Sequence, residues 1–262
     1  MKDIKIIVAT HKKYQMPEDE IYLPVQVGAE GKEDLGYQRD NKGDNISSKN
    51  AYYCELTGLY WAWKNLNADY IGLSHYRRHF TCIEKKYSNE NKKFKVVLNK
   101  NQLDKILETT DIILPKKRKY YIENLYDHYT HTLHGETLEE TRKIIKEQCT
   151  EYLIEFDKLH KRTSAHMFNM FIMKKEYLNQ YCEWMFKILF ELEKRIDPKQ
   201  YDSFHARYIG RVSELLLDVW INTNNLKYKE VKVIEMQNVN WLKKGFAFLQ
   251  AKFIGKKYGK SF

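Results

Sequence analysis

The stretch YIGLSHYRRHF at residues 70–80 carries the clearest fold signal in the sequence. It opens with the apolar run Tyr70 to Leu73, which is typical of a buried strand. The run passes without a turn residue into a segment rich in imidazole and guanidinium groups, Ser74-His75-Tyr76-Arg77-Arg78-His79. Two adjacent arginines at a strand end predict a charged ligand, because the guanidinium fork matches phosphate oxygens in pairs. Alternatively, both arginines pair with surface carboxylates. Since neighbours on a strand point to opposite faces, we expect only one to reach a ligand.

Strands and helices are predicted on both sides of this stretch. Apolar runs predict further strands at residues 4–9, 21–29, 111–115, 167–173 and 227–236. Three- and four-residue apolar spacing predicts helices at residues 51–66, 102–109, 174–196 and 207–221, and two more between 136 and 160. Near-continuous apolar strands alternating with helices predict an α/β sheet with helices on both faces.

The composition indicates a globular protein with an anionic partner. The 262 residues are 43% hydrophobic and 14% aromatic, which argues against disorder, and the formal net charge is +10. No run of about 18 apolar residues is present, as a membrane span would need. The N-terminus lacks a signal-peptide cleavage site, and the four cysteines form no Cys-x-x-Cys pair. We therefore expect a cytoplasmic protein with reduced thiols.

The C-terminal residues 241–262 form a basic amphipathic segment. They carry six lysines and no acidic residue, interleaved with large apolar side chains. Such a segment fits a helix lying on an anionic membrane surface. The alternative is a terminal helix docked on the core with a solvated basic end.

Three predicted strands end in residues suited to a binding site. In open α/β sheets, ligands bind beyond the carboxyl ends of the strands. The relevant ends are Thr10-His11, Gly28-Ala29 and Ser74 to Arg78. We expect a diphosphate to lie among them.

Five motifs together resemble the bacterial capsular and exopolysaccharide glycosyltransferase family that was formerly an uncharacterised domain family. They are ATHKKY, DNISSKNAYYCELTGLYWAWKN, YIGLSHYRRHF, HMFNMFIM and GRVSELLLDVW. The resemblance implies a GT-A-like, nucleotide-sugar-binding mixed sheet. It also implies one domain over residues 1–236, with a nucleotide-sugar half at 1–115, an acceptor half at 116–236 and a basic helical tail at 237–262.

The resemblance also assigns residues to the donor site. By motif, the resemblance places Ala9, Thr10 and His11 at the uridine. It places Asp44, Asn45 and Lys49 before the helix that closes the nucleotide cleft. The usual Asp-x-Asp metal position is occupied by Ser74, His75, Tyr76 and Arg77, with Arg78 alongside. No carboxylate pair stands at that position, and Asp69 and Glu84 are too distant along the chain to replace it. Hard cations prefer oxygen ligands, so we expect no metal cofactor, with His75, Arg77 or Arg78 stabilising the leaving diphosphate. A divalent metal is not excluded by this argument.

A carboxylate is needed to accept the proton of the acceptor hydroxyl. Glu214 is the first candidate and Asp218, one turn on, the second; alternatively, Glu214 is only an ion-pair partner of Arg211. His166 and Asn169 are predicted to hydrogen-bond the acceptor sugar, although a histidine beside an apolar strand is commonly a core residue. The spacing of His128, His131 and His134 does not fit a zinc site.

The predicted function is transfer of a hexose, such as galactofuranose or galactose, from a UDP-sugar to a lipid-linked surface polysaccharide intermediate. The expected location is the cytoplasmic face of the membrane, as a peripheral protein, without nucleic acid as a partner. Two alternatives stay open. One is a nucleic-acid-binding module, which the net charge of +10 would also suit. The other is a catalytically inactive partner subunit, which the missing Asp-x-Asp pair would suit.

Overall fold

The computed structural model describes residues 2–85 and 87–237. The predicted basic tail therefore lies outside the described residues, apart from Gln237. In these two ranges, ten strands form the sheets: β1 Ile4–Thr10, β2 Tyr22–Gln26, β3 Gln38–Arg39, β4 Tyr70–His75, β5 Arg78–Thr81, β6 Ile112–Pro115, β7 Arg118–Lys119, β8 Ser164–Ala165, β9 Phe171–Lys174 and β10 Lys229–Glu235.

Within the described residues, nine α-helices connect and cover the strands. Their bounds are α1 Asn50–Tyr53, α2 Leu56–Asn65, α3 Glu90–Phe94, α4 Lys100–Ile106, α5 Leu125–Thr132, α6 Glu136–Gln148, α7 Leu153–Asp157, α8 Lys175–Arg195 and α9 Tyr208–Thr223. Among the described helices, none combines the length and apolar character that crossing a bilayer requires.

The main sheet is mixed and has eight strands in the order β3-β2-β1-β4-β5-β10-β6-β9. Strands β1, β2, β3 and β4 run parallel, whereas β5 and β9 run antiparallel to β4. Strand β9 also pairs with β6, so the half of the sheet from β4 to β9 closes on itself. The predicted α/β class with a mixed sheet is confirmed.

Gly72 lies where the sheet closes. It is the partner of Ile172 on β9, and a Cβ at position 72 would lie 2.8 Å from Ile172 Cγ1 and 3.0 Å from the Phe171 carbonyl oxygen. No side chain fits that space without moving the backbone. The glycine therefore permits the close approach of β9 to β4.

Hydrophobic cores fill both faces of the sheet. Alternate residues of β1 show this: Ile7 and Ala9 face the core packed by α2, α6, α8 and α9, whereas Ile6 and Val8 face the core packed by α4. This alternation follows from the two-residue period of a strand. The sheet is thus covered by helices on both sides.

The predicted helix at 51–66 is split into α1 and α2. Cys54 has a φ of 52°, a left-handed conformation that ends α1. Gly58 in α2 is required by a close neighbour, since a Cβ there would lie 2.8 Å from Val27 Cγ1. The break turns Glu55 and Cys54 towards the end of the sheet.

Asp40 organises the loop that follows β2. Its carboxylate is fully buried and accepts hydrogen bonds from the backbone N–H groups of Gly28 and Ala29 at 2.7 and 3.0 Å. The hydroxyls of Ser47 and Thr57 also donate to it. Asp40 therefore ties the end of β2 to the start of α1 and to α2.

Two strand predictions are wrong in detail. Residues 75–78 form a hairpin, with Tyr76 and Arg77 in the turn and Arg78 starting β5 opposite His75. Only the end of the predicted strand 167–173 is a strand, because Phe168 and Asn169 form a turn with left-handed φ values of 76° and 53°. We call this turn the Phe168–Asn169 turn.

Candidate active-site cleft

A cleft of about 950 Å³ lies at the carboxyl ends of β1 and β4. The strand ends contribute Ala9, His11 and His75, and the hairpin turn contributes Tyr76 and Arg77. The opposite wall comes from the start of α9, from β7 and from the Phe168–Asn169 turn. The site therefore lies at the position where parallel strands of α/β proteins leave room for a ligand.

The cleft is strongly basic. Its lining includes seven cationic side chains, Lys32, Arg77, Arg78, Arg118, Lys119, Arg207 and Arg211. It includes three carboxylates, Glu55, Glu214 and Glu235. A cleft with this excess of positive charge attracts anions and binds them in competition with water.

Three of the cationic side chains of the cleft, Lys32, Arg77 and Arg207, act on His11. The pKa of His11 is lowered, first by burial and then by the charges of Lys12, Arg77, Lys32 and Arg207. Within residues 2–85 and 87–237, neither Arg77 nor Lys32 forms an ion pair. Arg207 Nε donates to Cys54 Sγ at 3.3 Å. We call Lys32, Arg77 and Arg207, the cleft cations whose charges act on His11, the His11 cation cluster; its positive charge favours an anionic ligand.

Arg78 differs from Arg77 because it is neutralised by the protein. Its Nε lies 3.2 Å from Glu235 Oε1, and its guanidinium carbon lies 4.2 Å from the centre of the Phe168 ring. The hairpin turn separates the two arginines, which the sequence-based prediction had placed on one strand. Arg78 lines the cleft, but its charge is already paired.

His75 is a neutral imidazole fixed by the backbone. Its Nε2 lies 2.6 Å from the Phe168 carbonyl oxygen, and because a carbonyl only accepts, Nε2 carries the proton. Burial is the main cause that lowers the pKa of His75. The positive charge expected of His75 is therefore absent near neutral pH, and the fixed cations are the guanidinium and ammonium groups.

Glu214 faces the cleft from α9 and is only 8% exposed. Burial raises its pKa, while Arg211, whose Nη1 lies 3.9 Å from Oε1, opposes the rise. Its Oε2 accepts a hydrogen bond from the Phe168 N–H at 3.3 Å. Both earlier interpretations of Glu214 thus have a basis: it pairs loosely with Arg211 and it lines the cleft.

Asp218, the alternative base, is held inside the protein. Its Oδ1 lies 2.5 Å from His166 Nδ1 and its Oδ2 accepts from the His166 N–H. Burial would raise the pKa of Asp218, but the bonds to His166 outweigh it and the pKa is lowered. His166 is fully buried and its Nε2 lies 3.0 Å from Glu230. The imidazole of His166, which the sequence analysis assigned to an acceptor sugar, is enclosed by these carboxylates.

Asn169 is also enclosed, at 1% exposure. Its Nδ2 donates to Glu55 Oε1 at 2.8 Å, and its Oδ1 lies 3.1 Å from the Ser213 hydroxyl. Both polar ends of the amide that the sequence analysis assigned to an acceptor sugar therefore have protein partners. Asn169 instead touches a carboxylate that lines the cleft.

Five further predicted donor-site residues do not line the cleft. The Thr10 hydroxyl donates to the Lys12 carbonyl at 2.6 Å, and the buried Ser74 hydroxyl lies 3.4 Å from the Ile7 carbonyl. Both are strand residues whose side chains face inward. They support β1 and β4 rather than a ligand.

The remaining three lie in the loop before α1. The Asp44 carboxylate accepts from the Tyr60 hydroxyl at 3.3 Å, and Asn45 donates to the Gly43 carbonyl at 2.8 Å. Lys49 pairs with Glu193 of α8 at 2.6 Å. The loop is held by Asp40, so Asn50 and Glu55, not these residues, reach the cleft from this region.

Several cleft residues were missed by the sequence analysis. Arg207 and Arg211 precede the predicted base Glu214 at helical spacing along the start of α9, a signal that could have been found. Lys32, Arg118 and Lys119 lie in loops or a two-residue strand, where spacing carries no such information. Only the fold brings them to the same cleft.

The histidine-rich segment forms a different kind of cluster. Glu123 accepts from His128 Nδ1 at 3.3 Å and from His131 Nδ1 at 3.0 Å. In the described part of the chain, no group of three or more His, Cys, Asp or Glu side chains is arranged to hold a metal ion. The cluster is an ion-pair and hydrogen-bond arrangement beside α5.

The fold and the cleft define a mixed α/β protein with a basic cleft at the carboxyl ends of β1 and β4. Residues 5–225 match the family described as a domain of unknown function (DUF4422), and the chain belongs to this family. The resemblance predicted from the five motifs is thereby confirmed.

The chain is also similar to a solved protein structure. The chain is similar to the apo structure of the bifunctional glycosyltransferase WbbM, with 33% sequence identity and a TM-score of 0.82. The similarity covers 90% of this chain and 46% of the other, so the chain spans about half the length of that protein. Among curated proteins there is no match.

Proposed function

We propose that the protein is a GT-A-like glycosyltransferase that moves a hexose from a UDP-sugar to a glycan acceptor. The similarity to a bifunctional glycosyltransferase supports the reaction class. The observation that carries the proposal is the His11 cation cluster at the carboxyl ends of β1 and β4, where a nucleoside diphosphate would place its charge.

In this reaction the bond between the anomeric carbon and the diphosphate oxygen breaks, and negative charge develops on the departing UDP. Arg77, Lys32 and Arg207 have no ion-pair partners in the described residues, so they are available to stabilise that charge.

The acceptor hydroxyl forms the new bond to the anomeric carbon and gives up its proton. Glu214 is our candidate for the group that takes the proton, since it lines the cleft and burial raises its pKa towards the range useful for a base. The products are the glycosylated acceptor, UDP and a protonated Glu214. The proton then returns to water.

GT-A enzymes commonly use a divalent metal at the end of the strand equivalent to β4. The residues there are Ser74, His75, Tyr76 and Arg77, and none supplies a carboxylate. A hard cation finds no suitable ligand set in that sequence. We therefore propose that the charge of the diphosphate is neutralised by the His11 cation cluster and not by a metal ion.

The sugar and the acceptor follow from the family resemblance. We propose galactofuranose or galactose as the hexose and a lipid-linked surface polysaccharide intermediate as the acceptor. The basic segment 241–262 would then keep the protein at the anionic cytoplasmic face of the membrane. Residues 1–115 would hold the donor, and residues 116–236 would contribute the acceptor side.

A thermal-shift and UDP-release experiment tests this function. UDP should raise the melting temperature, as about 2.7 kcal/mol of stabilisation is expected at 100 times the dissociation constant. UDP-galactose or UDP-galactofuranose should release UDP when a lipid-linked acceptor is added. Binding without turnover would favour an inactive partner subunit. Absence of a UDP shift, combined with steep salt-dependent binding of oligonucleotides, would favour the nucleic-acid alternative.

A further inference from the structure

The Phe168–Asn169 turn touches three polar groups of the cleft. Its Phe168 N–H donates to Glu214, its Phe168 carbonyl accepts from His75, and its Asn169 amide donates to Glu55. Both residues have left-handed φ values, which residues other than glycine seldom adopt. Strain of this kind persists where the surrounding structure demands it, and it clusters at functional sites.

Asn169 is fixed so that its NH₂ group faces Glu55. A carboxylate oxygen only accepts, so the Nδ2 group must be the partner of Glu55 Oε1 at 2.8 Å. Ser213 lies 3.1 Å from the other end of the amide, and the residue is 1% exposed. The amide therefore has one orientation, and it holds Glu55 in one position.

Glu55 is the cleft carboxylate whose charge is left unpaired. Glu214 has Arg211 at 3.9 Å and Glu235 has Arg78 at 3.2 Å. Across the described ranges 2–85 and 87–237, Glu55 forms no ion pair, and its hydrogen bond to Asn169 comes from a neutral amide. A carboxylate has room for about four hydrogen bonds, so Glu55 keeps acceptor capacity for hydroxyl groups of a ligand.

The position of Glu55 indicates which hydroxyls it would meet. Arg207 Nε donates to the Sγ of Cys54, the residue before Glu55, at 3.3 Å, and Glu55 and Arg207 both line the cleft. Arg207 belongs to the His11 cation cluster, where we place the diphosphate. The transferred sugar is bonded directly to that diphosphate, whereas the acceptor is not.

We propose that Glu55, oriented by Asn169, binds hydroxyl groups of the donor sugar. The inference rests on the proposed function and adds a division of roles: Glu214 accepts the proton, Glu55 holds the sugar, and Asn169 is a positioning residue. Sugar hydroxyls donate to a charged acceptor, and such bonds are stronger than those between neutral groups.

The test compares binding of UDP with binding of UDP-galactose and UDP-galactofuranose by calorimetry. In the parent protein, the preferred UDP-sugar should bind more tightly than UDP. Glu55→Gln should weaken binding of that UDP-sugar by roughly 10- to 100-fold and leave the affinity for UDP unchanged. Asn169→Asp, which removes the amide donor, should show the same pattern. Glu183→Gln, on the exposed face of α8, is the matched control.

Kinetics separate this role from a merely structural one. Glu55→Gln should raise the KM for the donor and keep the acid limb of the pH profile of kcat, which belongs to Glu214. That limb should move to lower pH, because the Glu55 charge helps to raise the Glu214 pKa. Glu55→Asp keeps the negative charge, but its shorter side chain places the carboxylate further from the sugar. This variant should also raise the KM for the donor. Unchanged UDP-sugar affinity in Glu55→Gln overturns the inference, as does an equal loss of UDP affinity. If the parent protein fails to bind UDP at all, the proposed function fails instead.

Discussion

Arg77 and Arg78 are adjacent in the chain, but only Arg78 has a carboxylate partner, Glu235 at 3.2 Å, within the described residues. Arg77 lies in the turn between β4 and β5 and lines the cleft beside His11. The protein thus neutralises one guanidinium and leaves the other for a ligand.

Replacement of Arg77 tests the diphosphate site. Arg77→Ala should weaken UDP binding by roughly 10- to 100-fold, as loss of a charged hydrogen bond does, and should lower kcat/KM for transfer by about 100-fold or more. The melting temperature should change little, because Arg77 makes no ion pair in the described part of the chain. Arg142→Ala is the control, since Arg142 pairs with Asp157 at 2.7 Å on the surface. Equal activity of the Arg77 variant and the parent would remove Arg77 from the mechanism.

Glu214→Gln should separate activity from stability. Loss of a general base lowers turnover by about 100- to 10,000-fold. The folded pKa of Glu214 is raised above its unfolded value, so its stabilising contribution is present at low pH and lost as pH rises through the folded pKa. Glutamine carries no charge to bury, and the variant should therefore melt higher than the parent at neutral pH, with the difference vanishing in acid. A variant that is both active and less stable at neutral pH would contradict both roles.

The pH dependence of the parent enzyme follows from the same residue. Below the raised pKa, Glu214 is protonated and cannot accept a proton from the acceptor. Turnover should therefore rise with pH through that pKa, and Glu214→Gln should abolish this limb of the profile. The profile is measured at saturating donor and acceptor. Persistence of the limb in the variant would assign it to another group.

Chelation tests whether the cationic side chains suffice. If Arg77, Lys32 and Arg207 neutralise the diphosphate, EDTA should leave transfer at its original rate. The assay should use protein passed through a chelating resin, with and without added Mn²⁺. A complete loss of activity that Mn²⁺ restores would show that a metal performs this role.

Asp40 provides a stability test away from the chemistry. The Asp40 carboxylate accepts hydrogen bonds from two backbone N–H groups and two hydroxyls. In Asp40→Asn one of the two carboxylate oxygens is replaced by an NH₂ group, which cannot accept a hydrogen bond from these donors. The variant should lose about 2–3 kcal/mol of unfolding free energy, measured by urea denaturation. Asp34→Asn, in an exposed part of the same loop, should stay within about 0.5 kcal/mol of the parent. Similar stabilities of the two variants would contradict the role of Asp40.

The sheet and its helices were largely predictable because apolar runs determine which segments are buried. The runs at 4–9, 70–73 and 111–115 match β1, β4 and β6 closely. The hairpin at Tyr76 and Arg77 was not predictable, since neither residue is a common turn former and neither has a positive φ. The turn is imposed by the pairing of β5 with β10 rather than by local preference.

The cleft was predictable at its strand ends and not elsewhere. The sequence places Ala9, His11 and His75 to Arg78 at strand ends, and the topology of the sheet brings these ends together. His166 and Asn169 were misplaced because their apolar neighbours made the segment resemble one continuous strand. The partners that enclose them, Asp218 and Glu55, are distant in the chain, and pairing over such separations has no local signature.

A structure of the protein with bound UDP tests the central claim most directly. We predict that the diphosphate oxygens lie about 3 Å from the Arg77 guanidinium, as a charged hydrogen bond requires, with Lys32 and Arg207 on the same anion. A nucleotide bound away from the carboxyl ends of β1 and β4, or a diphosphate that does not contact Arg77, would contradict the account.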